Sequence, residues 1–312
     1  MLKKLFRLLK FVWCHPLNKN NRFASLWRVI SWQITSRILN VPIMLPFVNG
    51  THLIANRSMI GATGEWYCGL REHEDMGFLL HVLQPGDLFV DAGANIGSYS
   101  ILAGSCEGVN VVAFEPIPST FSWLQKNIKI NALENKVRAM NVALAEKKGT
   151  IYFSSNLDVC NHVLLKNDEN LPFIEIDAVI LDDVLKEKSP AVIKIDVEGF
   201  ETQTLIGAKN IINNPSLMAI IIEINGGGER YGKKDDEIHE LLISKGFDSF
   251  EYDPFKHELK SLQGKYKLTS NTLYLRNLDE IQYRISRKNT FILGTGEKIC
   301  KLIFFPIIFL LS

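Results

Sequence analysis

Disulfide chemistry has no foothold in this sequence. Its five cysteines, Cys14, Cys68, Cys106, Cys160 and Cys300, are scattered, odd in number and never spaced C-x-x-C. That pattern argues against a disulfide framework or a structural zinc site and fits a reducing, cytoplasmic compartment. Excess charge is also missing. The 35 Lys and Arg nearly cancel the 34 Asp and Glu, leaving +1, so no nucleic-acid partner is expected on electrostatic grounds. No apolar run reaches the roughly twenty residues of a spanning helix. The strongest, residues 299–311, is interrupted by Lys301 and Pro306 and reads as a buried or interfacial tail. A secretory leader is not expected, because charges break up the apolar positions of residues 1–13 and no small-residue cleavage site follows. Internal repeats and low-complexity segments are absent.

What remains is an ordinary globular composition, 46% hydrophobic and 22% charged over 312 residues, enough for one large core. In residues 1–13, Leu2, Leu5, Phe6, Leu9, Val12 and Trp13 recur at helical spacing beside Lys3, Lys4, Arg7 and Lys10. A basic amphipathic helix of this kind can make peripheral contact with an anionic membrane or pack on the domain. A second helix is expected over residues 23–39. Residues 51–70 read as short strands or a hairpin, and residues 72–83 as a helix. From residue 87 onward strands and helices alternate. Strands are expected at 88–90, 110–115, 137–144, 150–154, 174–180, 191–196, 217–224, 247–252 and 272–276. Helices are expected at 118–130, 181–185, from beyond the strand at 191–196 through about 212, and at 235–245, and residues 156–172 read as a surface loop. This rhythm predicts an α/β fold, a mostly parallel sheet covered on both faces.

The chemistry concentrates at the ends of these strands. Asp91-Ala-Gly-Ala-Asn-Ile-Gly97 follows a buried strand and opens a helix, so Gly93 and Gly97 let backbone approach a ligand near a helix N-terminus. Glu115 lies 22 residues beyond Gly93, placed to accept ribose hydroxyls from the end of the second strand. That serves NAD and S-adenosylmethionine alike. The glycine run separates them, since it lacks the middle glycine of G-x-G-x-x-G and begins with an acid. An acidic rim suits the ammonium of an aminoacyl group better than a pyrophosphate. Farther on, Pro116 and Asn141 also sit at strand ends. Asp196 and Glu198 end the strand at 191–196, where they could position a substrate, take a proton or touch a metal, or cap the next helix. Asp196, Glu223 and Asn225 are an oxygen set of the kind that holds a hard cation, although a metal is not the expectation. His73, His81 and His162 read as structural or surface residues.

These residues resemble the motif series of the FkbM-type methyltransferases. The matching blocks are Asp91–Gly97, Phe114-Glu-Pro116 and Lys194-Ile-Asp-Val-Glu-Gly-Phe-Glu201, with lesser ones at Leu83-Gln-Pro-Gly-Asp87, Ala143-Leu-Ala-Glu146, Leu181-Asp-Asp183, Gly246-Phe247, Tyr252-Asp-Pro254 and Asn271-Thr-Leu-Tyr274. The likeness covers roughly residues 60–280. It implies a class I methyltransferase, a Rossmann-like, doubly wound and mostly parallel seven-stranded sheet using S-adenosyl-L-methionine. Family members are associated with O-methylation of sugars, polysaccharides and natural products, so a small-molecule or glycan acceptor is implied. Asp91, Gly93, Asn95, Gly97 and Glu115 are implied as cofactor contacts, with Ala94, Pro116 and Asn141 beside them, and Asp196 and Glu198 as catalytic residues. The expected layout is a helical extension over 1–48, the methyltransferase domain over 49–285 and an apolar tail over 286–312. An NAD-dependent oxidoreductase, or a non-catalytic membrane-associated protein that keeps the fold, are the alternatives.

Overall fold

The computed structural model describes residues 2–57, 59–154, 162–164, 172–265, 271–287 and 290–300. The expected tail beyond Cys300 and most of the expected loop at 156–172 lie outside the described residues.

The chain opens with two helices, α1 (Leu2–Cys14) and α2 (Arg22–Leu39). A buried asparagine ties them to the body. Asn18 Nδ2 donates to the carbonyls of Val12 and Tyr67, at 2.9 and 3.2 Å, and its Oδ1 accepts from Arg28. Strands β1 (Ile43–Pro46) and β2 (His52–Ala55) pair as an antiparallel hairpin. Residues 60–68, expected as strand, are instead helix α3 (Ile60–Cys68). Its Gly64 serves close packing, since a Cβ there would stand 2.6 Å from Arg71 Cδ. Helix α4 (His73–Val82) follows as expected.

The central layer begins with β3 (Leu88–Ala92), α5 (Ser98–Gly104), β4 (Asn110–Phe114), α6 (Pro118–Ile130) and β5 (Val137–Met140). The strand expected over 137–144 divides at Asn141. Its second half, β6 (Ala143–Leu144), joins β7 (Gly149–Ser154) and β8 (Phe173–Val179) in a separate sheet of order β6-β8-β7. After α7 (Leu181–Leu185) comes β9 (Val192–Ile195), then α8 (Glu201–Ile206) and α9 (Lys209–Asn213). These two replace one expected helix. They part at Gly207, where a Cβ would lie 2.2 Å from the Ala145 carbonyl oxygen. The chain continues through β10 (Ala219–Glu223), α10 (Asp235–Ser244), β11 (Asp248–Asp253), β12 (Glu258–Ser261), β13 (Asn271–Leu275), α11 (Leu278–Ile285) and the hairpin of β14 (Thr290–Ile292) with β15 (Lys298–Cys300). A bridge from Val48 to Leu293 joins that last hairpin to the first one.

The main sheet runs β12-β11-β13-β10-β9-β3-β4-β5. Strands β5, β4, β3, β9 and β10 are parallel, and β13, β11 and β12 are antiparallel. This is the doubly wound class I methyltransferase arrangement, with an eighth strand in place of the expected seven. The addition, β12, pairs only with β11 and reads Glu-Leu-Lys-Ser, mostly exposed. The parallel strands are apolar because helices cover both faces. Ile220, Ile221 and Ile222 of β10 are fully buried, each contributing about 1.5–3 kcal/mol of transfer free energy. Strand order reverses between β3 and β9, which opens a crevice at their carboxyl ends.

Candidate functional site

The crevice is built around two turns that touch backbone to backbone. Gly93, after β3, has φ 83°, a conformation that costs glycine little. A Cβ on it would sit 1.8 Å from the carbonyl oxygen of Asp196, after β9, so no larger residue fits. The amides of Gly93 and Ala94 both donate to the Phe114 carbonyl, at 3.0 and 2.8 Å, which fastens this turn to β4 as well. Ala94 is buried beneath it. Asn95 adopts φ 52°, and its side chain accepts from the Ile96 amide at 2.8 Å. Gly97 sits behind the turn, packed on Leu124, and shapes the turn without lining the crevice.

Glu115 is the best-defined side chain here. Its Oε2 accepts from the Asn95 amide and its Oε1 from the Ile117 amide, both at 2.9 Å. Burial pushes its carboxyl up to about 7 against the pull of those two donors, and Asp91 and Asp196 push the same way. Asn141 does not line the crevice. Its Nδ2 donates to the carbonyls of Glu115 and Pro116, at 2.9 and 2.7 Å. It therefore holds the end of β4 in place, and this use of its amide accompanies the split between β5 and β6. Around Glu115 the lining includes Pro116, Ile117, Trp123, Val142, Phe153 and Phe200, together with Asn56, Met59 and Gly61.

Past the glycine turn the crevice becomes polar. Asp91, Ala94, Tyr99 and Lys194 line this deeper part, together with Glu65, Arg71 and Glu72. Asp91 is buried and accepts from Ser100 Oγ at 2.6 Å. Burial raises its carboxyl's pKa, countered by Lys194. Lys194 is the buried cation of this region, beside Arg71. Its Nζ donates to Asp196 at 2.7 Å and lies 4.7 Å from the centre of the Tyr99 ring. Burial favours its neutral form, but Asp196, Glu72 and Asp91 outweigh burial and keep it charged. Tyr99 in turn donates to Glu72 at 2.7 Å, and Asn271 donates to Glu72 and Asp75 at 3.2 and 3.0 Å.

The two expected catalytic acids part company. Burial would raise the Asp196 carboxyl, yet the Lys194 ammonium and its hydrogen bond prevail and hold it below the usual carboxylate range. Glu198 stands at the exposed rim of the crevice with φ 53°, followed by Gly199 at φ 95°. Partial shielding of its carboxyl, with Asp196 and Glu201 nearby, raises it to about 7. Glu201 is buried and braces the turn, accepting from the amides of Val197 and Gly199 at 3.1 and 3.0 Å. Asn225 closes its own loop by accepting from the Gly227 amide at 2.9 Å. Among the described residues no cluster of His, Cys, Asp and Glu is arranged to hold a metal ion.

The histidines stand elsewhere. His81 is buried, bonded to the Tyr252 hydroxyl at 2.7 Å and stacked on His257. His162 contacts Arg230, and His73 packs on His15 and Phe255. Arg71, Glu72 and Tyr99 are not among the site residues expected from the sequence, since none of them ends a strand. Lys194 lay inside a quoted motif, and a lysine in an otherwise apolar strand was the signal available.

A model of the methyltransferase FkbM domain matches residues 91–249. The hexuronic acid methyltransferase AglP of Haloferax volcanii is 30% identical over 160 residues, 50% of this chain and 63% of that protein. The chain thus spans less than two thirds of that relative. The 31-O-demethyl-FK506 methyltransferase FkbM of Streptomyces tacrolimicus is 29% identical over 201 residues, 53% of this chain and 74% of that protein. Among solved structures, P. horikoshii TYW2 in complex with MeSAdo is 15% identical with a TM-score of 0.39, covering 78% of this chain and 79% of that one. An rRNA methylase from Streptococcus thermophilus, also 15% identical, has a TM-score of 0.38 and covers 64% and 91%. With that model spanning half of the sequence, including both turns that meet in the crevice, the chain belongs to the FkbM family of S-adenosylmethionine-dependent methyltransferases.

Proposed function

We propose that this chain methylates a hydroxyl group of a sugar, polysaccharide or related natural product. The observation that carries the reading is the position of Glu198, a carboxyl at the crevice rim two residues beyond Asp196, where partial shielding and neighbouring acids raise it into the range of a general base. Asp196 is held ionised by Lys194 and is a weaker base, so its role is to orient the acceptor and to keep the region beside Glu198 negative. The names of the two relatives, one for a hexuronic acid and one for an FK506 derivative, support an oxygen acceptor of this class.

The donor set suits the cofactor. Glu115 has used one lone pair on each oxygen for backbone amides and keeps the others for two ribose hydroxyls. The apolar walls from Pro116 to Val142 suit an adenine ring. Asp91, Glu72 and Arg71 in the deeper part offer both signs of charge to an aminoacyl group. When bound, the cofactor supplies an electrophilic methyl on its sulfonium. The protein's work is then to align the acceptor oxygen and accept its proton at Glu198.

Calorimetry with S-adenosylmethionine, followed by a screen of glycan acceptors, tests the reading. Glu198→Gln should lower kcat by about 10²–10⁴-fold and leave the cofactor Kd nearly unchanged. Full turnover in that variant would remove Glu198 from the mechanism.

A further inference from the structure

Helix α2 is apolar on two opposite faces. Ser25, Val29, Trp32 and Ser36 are buried against the body. On the other side, Phe23, Trp27, Ile30, Ile34 and Ile38 recur at i, i+4, i+7, i+11 and i+15. Phe23 is 81% exposed, Trp27 65% and Ile38 74%. Helix α1 extends this face, because Trp13 meets Phe23 edge to face at 5.7 Å and Phe6 is exposed on the same side of α1 as Trp13. A contiguous apolar surface of this kind marks an interaction site.

The charge of the segment that carries this face points to the partner. No Asp or Glu occurs before Glu65, whereas nine Lys and Arg do. The rest of the chain therefore carries all 34 acids against 26 bases. Lys3, Lys4, Lys19 and Arg22 are exposed. Arg22 lies over the Trp13 ring at 5.2 Å, a cation set on the aromatic rim. A second copy of this chain docking through the same face would bring positive charge against positive charge. An anionic bilayer offers an apolar interior and the opposite sign together. Among the described residues no helix is long and apolar enough to cross a membrane, so the contact is parallel to the surface.

We propose that the α1–α2 face is a docking surface for anionic lipid bilayers, with Phe23, Trp27, Ile30, Ile34 and Ile38 in the acyl boundary and the basic residues among the headgroups. This goes beyond the amphipathic pattern of residues 1–13, since the deeper contact belongs to α2. The C-terminal end of α2 adjoins the crevice. A cavity at the end of α2, lined by Ser36, Asn40 and Pro42, shares Asn56 with it.

The test is co-sedimentation of the full chain with phosphatidylcholine vesicles, with and without phosphatidylglycerol. The wild type should bind the anionic vesicles, and added salt should weaken the binding. Trp27→Asp with Ile34→Asp should lower partitioning at least about tenfold. Both sites are exposed, so S-adenosylhomocysteine binding should be retained and serves as the folding control. Equal partitioning of wild type and double variant overturns the proposal. So does vesicle binding that disappears only when residues 301–312 are removed, which would make the tail the anchor. A wild-type dimer that becomes monomeric in the double variant, without vesicle binding, would assign the face to a second copy instead.

Discussion

Lowering the pH should weaken cofactor binding through one carboxyl. Glu115 is raised from its ordinary 4.5 to about 7, and ribose hydroxyls need it as an ionised acceptor. With a pKa of 7 in the free protein, it is ionised in about 90% of molecules at pH 8 and about 9% at pH 6, so the apparent Kd should rise about tenfold over that interval. The effect on the ligand-free fold has the opposite sense. A carboxyl raised on folding contributes stability that is complete below 4.5 and is lost as pH rises through 7. The cofactor therefore binds better where the empty protein is less stable. Calorimetry at pH 6 and pH 8 measures the slope, and Glu115→Gln should flatten it. That variant should also bind about tenfold to a hundredfold more weakly, from the loss of charge-assisted acceptors worth about 1.5–3 kcal/mol. Glu198 and Glu201 are also raised to about 7, so the decisive result is the slope in the variant. A pH dependence that survives Glu115→Gln would refute the assignment.

Three further substitutions probe the surrounding architecture. Gly93→Ala combines a left-handed φ with a Cβ 1.8 Å from the Asp196 carbonyl oxygen, so it should cost at least about 2 kcal/mol of stability in thermal or urea melts and weaken cofactor binding in calorimetry. Lys194→Met leaves Asp196, Glu72 and Asp91 without their shared cation and should destabilise the fold by about 3–5 kcal/mol, read from urea midpoints. Asn141→Ala removes both hydrogen bonds that fix the end of β4. It should raise the cofactor Kd about fivefold to tenfold at about 1 kcal/mol or slightly more and change kcat little, which single-turnover kinetics would separate.

Much of the fold was legible because parallel strands in this sheet are buried on both faces and read as unbroken apolar runs. Val111–Phe114 and Ala219–Ile222 are of that kind. Other elements carry no such signal. Strand β12 is Glu-Leu-Lys-Ser at a solvent-facing edge, and α11 buries only Ile281 and Ile285 among polar residues. Helix α3 was hidden by its glycines, which suggest turns until their neighbours in space are known. In the site, Asp91, Gly93, Glu115 and Asp196 were legible from their spacing about strand ends. The network of Tyr99, Glu72, Asp75 and Asn271 was not, because its members are up to 199 residues apart in sequence. The opposite shifts of the Asp196 and Glu198 carboxyls depend on which of them Lys194 reaches, and the order of residues alone does not say.

The contact between Gly93 and the Asp196 carbonyl also limits how the crevice can open. Two jaws welded at the root cannot gape there, since parting them would tear the parallel ladder that joins β3 to β9. The rest of the crevice lining, including Asn56, Met59, Gly61, Phe153 and Phe200, lies outside that ladder and is not held by it.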